Sequence, residues 1–77
     1  MSKFIEVTDV YMDNEKRVLN TECIAEVRAL KRGHHPAKSW VHFNKEEIYC
    51  QEPFEDIKAM LMYDPAVADI VIGGNHD

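Results

Sequence analysis

The stretch from Lys45 to Met62 restricts the fold more than any other part of the chain. It reads Lys-Glu-Glu-Ile-Tyr-Cys-Gln-Glu-Pro-Phe-Glu-Asp-Ile-Lys-Ala-Met-Leu-Met. Its first third is a short strand, and its remainder places Phe54, Ile57 and Leu61 at three- and four-residue spacing, one apolar stripe of a helix. Pro53 suits a helix start, where the amide hydrogen it lacks would have no intrahelical acceptor anyway. Glu52, Glu55 and Asp56 surround the positive end of the helix dipole, a favourable placement for carboxylates. A strand that runs straight into a helix after a series of short strands predicts the α+β class, a small antiparallel sheet carrying one helix over Pro53–Tyr63.

The preceding residues supply the strands. Lys3–Tyr11 alternates, with Ile5 and Val7 on one side and Glu6 and Thr8 on the other. Asp13 and Asn14 suit a turn because both tolerate left-handed backbone angles. Lys16–Asn20 forms the second strand, Asn20–Cys23 a corner and Ile24–Leu30 the third strand. Good helix formers across 21–31 make a helix the competing reading there. Gly33 and Pro36 break the chain between residues 31 and 38. Ser39–Phe43 and Glu47–Cys50 then pair as a hairpin across Asn44–Glu46. The expectation is a five-stranded antiparallel meander. Its core would comprise Ile5, Val7, Val18, Leu19, Ile24, Val27, Val41, Phe43, Ile48, Phe54, Ile57 and Leu61. After Asp64-Pro65, residues 66–72 are too apolar for a free tail and read as helix or strand, whereas 73–77 read as frayed.

At 77 residues the chain is one domain, and a core this small leaves folding close to balance. Help from oligomerisation or a partner surface is therefore expected. With two cysteines, no dense disulfide framework is available, and the N-terminus lacks the character of a signal peptide. A reducing cytoplasm is the expected setting, and no apolar run is long enough to span a membrane. Charge is unevenly placed. Residues 1–43 carry seven Lys/Arg against six Asp/Glu, and residues 44–77 carry two against eight. That balance argues against nucleic acid, whose binders need a broad positive field.

Nothing in the chain forms a committed catalytic or metal pattern. His34, His35, His42, His76, Cys23 and Cys50 lack the short recurring spacings of a zinc site. Cys50 could approach His42 across the last hairpin, but Glu46, Glu47 and Glu52 oppose thiolate formation. The carboxylates are explained by capping and solubility, and Gly73-Gly74 lacks the rest of a phosphate loop. Trp40 and Tyr49, with Phe43, would form either an exposed aromatic patch or core beneath the helix.

Between Phe4 and Leu61 a recurring set of positions stands out. It comprises Ile5-Glu-Val-Thr8, Val18-Leu-Asn20, Ile24, Val27, Val41-x-Phe43, Ile48-Tyr49, Glu52 and the helix from Pro53 through Ile57. In these the chain resembles the short FlbD-like family, small proteins of bacterial flagellar gene clusters with related-looking proteins in phages and mobile elements. The resemblance implies a bacterial or phage origin and brings no catalytic residues. The expected function is a non-catalytic cytoplasmic interaction module without cofactor or metal. It would serve either as an accessory to a bacterial machine or as a phage or mobile-element inhibitor of a host protein. Partner contacts are expected at Glu52, Glu55, Asp56, Trp40, Tyr49, Val67 and Ile70. The alternative is an oligomer that binds a nucleotide or other anion through Lys31, Arg32, His34 and Lys38.

Overall fold

Two left-handed turns set the hairpins. In the computed structural model, which describes residues 3–31, 36–62 and 64–76, Asp13 and Asn14 have φ of 55° and 56°. They join β1 (Phe4–Asp9) to β2 (Glu15–Asn20) in register, with Ile5 opposite Leu19 and Val7 opposite Arg17. Two consecutive residues with positive φ match the twist of an antiparallel pair. Asn44 and Lys45, with φ of 47° and 71°, do the same between β4 (Ser39–Phe43) and β5 (Glu46–Cys50). Between the hairpins, Asn20 caps a short 3-10 turn over Thr21–Cys23 with its side-chain oxygen, and β3 (Ile24–Leu30) follows. The segment 24–30 is thus strand, in place of the helical alternative.

The sheet has six strands in the order β2-β1-β5-β4-β3-β6 and is mixed, which corrects the five-stranded meander. The sixth strand, β6 (Val71–His76), pairs parallel to β3. The reason is topological. α1 (Phe54–Leu61) leaves β5 at one end of the sheet and carries the chain back towards the other, so an apolar segment after it adds to the edge in the direction of β5 and β3. Residues 73–76, expected to fray, belong to this strand.

α1 covers one face of the sheet. Ile57 and Leu61 are fully buried against Ile5, Val7, Leu19, Ile24, Val27, Val41, Ile48 and Cys50, with Ile70 closing the cluster. A register shift between Ile24 and Glu26 lets both Ile24 and Val27 reach this core despite their odd separation. Phe43 and Phe54 pack on its rim, half-buried. Val18, expected inside, is 63% exposed. Adjacent residues of a strand point to opposite faces, and Leu19 takes the inward place. The far face carries a second, smaller cluster of Leu30, Ala37 and Trp40 with Val10 and Tyr49.

After α1, Asp64 caps a second 3-10 turn, Pro65–Asp69, its Oδ1 accepting from the Ala66 amide at 2.8 Å. That amide holds the Asp64 carboxyl below its usual range against the opposing effect of desolvation. Asp64 Oδ2 and Thr21 Oγ1 are buried without a hydrogen-bond partner among the described residues, where the two 3-10 turns pack together. Lys3 Nζ donates to the Met60 carbonyl at 2.8 Å and ties the end of α1 back to the start of β1.

Candidate docking surface

Glu52 is a clasp of the fold rather than part of an open acidic face. β1 and β5 share one ladder position, Asp9 opposite Cys50, so the backbone of Thr8 reaches the end of β5 where the ladder stops. There Glu52 takes over. Its Oε1 accepts from the Thr8 amide at 2.7 Å and its Oε2 from the Thr8 hydroxyl at 2.8 Å. Lys16 Nζ donates to the same hydroxyl at 2.7 Å, and Ser39 Oγ donates to the Glu52 carbonyl at 2.7 Å. Desolvation raises the Glu52 pKa, but the bonds from Thr8, the backbone amide of Glu52 and the charge of Lys16 outweigh it and hold the carboxyl below its ordinary value.

The aromatic residues are also placed differently from expectation. Trp40 is 5% exposed, so it is neither an open patch nor packed beneath the helix. It lies in the far-face cluster, its indole Nε1 donating to Glu47 Oε1 at 3.1 Å and its ring 5.9 Å from that of His42. Tyr49 is half-buried beside it and meets Tyr11 edge-on at 5.2 Å. Phe43 belongs to the opposite face. Ile70, at 7% exposure, is a core residue.

The two cysteines differ in environment. Cys23 is exposed and Cys50 buried. Cys50 points into the main core while His42 lies by Trp40 on the other face, so the contact between them conceivable from sequence does not form. Burial, above all, pushes the Cys50 thiol up to about 12, with the charges of Glu52 and Asp9 acting in the same direction. A thiol held protonated is a poor nucleophile. Iodoacetamide at neutral pH is therefore expected to alkylate Cys23 in the folded protein and Cys50 only in denaturant. Peptide mass analysis checks this, and equal native labelling of both would contradict the burial of Cys50.

Of the residues expected to gather an anion, Lys31 and Lys38 are exposed, and Arg32 and His34 lie outside the described residues. The Lys38 amide donates to the Cys50 carbonyl at 2.8 Å, so its backbone closes the sheet. Among the described residues no group of three or more His, Cys, Asp or Glu could hold a metal ion. No described helix is long and apolar enough to cross a membrane.

What the fold does gather is a groove of about 420 Å³ between α1 and the C-terminal segment, lined by Glu55, Lys58, Ala59, Met62, Val67 and Ile72. Its lining is mostly apolar and includes Met62, 64% exposed, whereas Val71 (57%) alternates with Ile72 along β6 and faces the other side of the sheet. Its charged lining residues, Glu55 and Lys58, are exposed and form no ion pair among the described residues. Of the expected contacts, Glu55 and Val67 therefore come together here, and Asp56 is exposed outside the lining. Lys58, Ala59, Met62 and Ile72 were not anticipated. Their spacing along α1 was visible, but a Glu-Lys-Ala-Met stripe reads as a solvated helix face until Pro65–Ile72 folds alongside it. Compared with protein-family models, curated proteins and solved structures, the chain matches none.

Proposed function

We propose that this protein is a non-catalytic interaction module of the bacterial or phage cytoplasm, binding another protein through the face built by α1, the Pro65–Asp69 turn and β6. The observation that carries this reading is the open apolar groove with the exposed Met62 in its lining. Small folded domains seldom leave large apolar side chains clustered at a concave site unless something covers them. The buried thiol of Cys50 and the bonded carboxylate of Glu52 fit a non-catalytic role, since each serves packing or hydrogen bonding. In this reading the partner is a component of a bacterial machine or a host protein that a phage product restrains.

Capture of a partner from bacterial lysate with tagged protein, in the presence of nuclease, tests the proposal. A stoichiometric protein is expected to be retained. Met62→Asp should weaken that binding at least tenfold, about the cost of losing a central apolar anchor. Its melting temperature should stay close to wild type, because Met62 is exposed. Retention of the partner at full strength by Met62→Asp would exclude this face.

A further inference from the structure

The two edges of the sheet are not alike. β2, at one edge, carries Glu15, Lys16 and Arg17, and charged side chains on an edge strand discourage another strand from pairing with it. β6, at the other edge, reads Val-Ile-Gly-Gly-Asn-His, without Lys, Arg, Asp, Glu or Pro. Among the described residues it has β3 on one side and no strand on the other, so the backbone groups along its outer side lack a strand partner. We infer that the docking face binds its partner by strand addition. An extended segment of the partner pairs with the outer side of β6 and sets alternate aliphatic side chains into the groove. The inference rests on the docking face proposed above and specifies the conformation of what it binds.

Ile72 joins the edge to the groove. It lies in β6 opposite Val27 and lines the groove with Ala59, Met62 and Val67. Side chains of a strand laid beside β6 alternate between the two faces as those of β6 do. Every second one therefore falls on the groove side, beside Ile72, and those between fall beside Val71, which is 57% exposed. Val27 pairs with Ile72 and Ala29 with Asn75, one residue more on β6 than on β3, so β6 bulges at its two glycines. Regular pairing thus starts at Val71 and Ile72, ahead of the bulge, where the groove lies. The space where a Gly73 side chain would stand is open, with no atom of the chain within 4 Å, and a glycine there admits close approach of a second backbone. Glu55 and Lys58 give the lining one charge of each sign, so its choice of partner lies in backbone pairing and side-chain period. A helix in the groove would cover the apolar lining but leave the edge unpaired.

A random peptide library displayed on phage and panned against the immobilised full chain supplies the probe. Enriched peptides should carry Val, Ile, Leu or Phe at every second position. In a synthetic peptide of the enriched sequence, N-methylation then removes one backbone donor at a time. Only alternate residues of an added strand pair with the edge. Methylation should therefore weaken binding about tenfold or more at every second residue and no more than about twofold between them. Met62→Asp and Val71→Lys, both at exposed positions, should each weaken it too. Peptides with apolar residues three and four apart, dependent on Met62 but without alternation on methylation, would overturn strand addition and leave the docking face standing. No enrichment, or binding indifferent to Met62→Asp, would overturn both. A wild-type chain that sediments as a dimer and becomes monomeric on Val71→Lys would give the edge to a second copy and overturn this inference.

Discussion

Leu61→Ala is expected to leave the protein barely folded. Leu61 is fully buried at the end of α1, in the cluster that joins helix to sheet. Truncating such a side chain removes its transfer energy and leaves a cavity that its neighbours fill only in part, about 2–5 kcal/mol in comparable cores. A domain of this length has a total stability of roughly 4–12 kcal/mol, so the loss is a large share of the whole. Val18→Ala provides the comparison. Its side chain is 63% exposed, and the expected change is within about 0.5 kcal/mol. Urea unfolding followed by circular dichroism measures both. Equal losses at the two positions would mean that α1 does not seal the face assigned to it.

Glu52→Ala should have the second largest effect. The Glu52 carboxylate substitutes for a missing strand partner at Thr8, a residue with 2% exposure. Removing it leaves a buried amide and a buried hydroxyl without their acceptor, and hydrogen bonds to a charged group are worth about 1.5–3 kcal/mol. The pH dependence gives an independent check. The folded pKa of Glu52 lies below its ordinary value. Its contribution is therefore fully present above the unfolded value of about 4.3 and is lost as pH falls through the folded one. Asp64, also depressed, acts in the same direction. Wild type and Glu52→Ala should thus differ most at neutral pH and converge as the pH falls through the lowered pKa of Glu52. A gap that stays constant across that range would show that the role of Glu52 does not depend on its charge.

The two effects come from different levels of the sequence. The helical stripe of Phe54, Ile57 and Leu61 was visible as a period, because a helix must bury one face whatever lies beneath it. The turn at Asp13-Asn14 was legible because both residues tolerate left-handed angles, and the turn at Asn44-Lys45 only from the strands that flank it. Eleven buried residues of the main core include nine that period and apolarity alone had named. Val18 failed because two neighbouring apolar residues cannot both face inward on one strand, and composition does not say which does. Glu52 was legible as an acidic residue before a helix, but its bonds to Thr8 depend on a residue 44 positions away.

Local periodicity and turn chemistry by themselves determined the α+β class, the two hairpins and the inward stripe of α1, while strand against helix over 24–30 was left to the tertiary structure. Tertiary structure alone decided the sixth strand, its parallel direction and the groove. Each of these follows from where α1 returns the chain, and that is set by packing between residues far apart in sequence. The pattern along the chain records which side of each element is apolar. It does not record which other element that side will meet, so a groove assembled from the outer side of α1, a 3-10 turn and an edge strand came into view only when the three lay side by side.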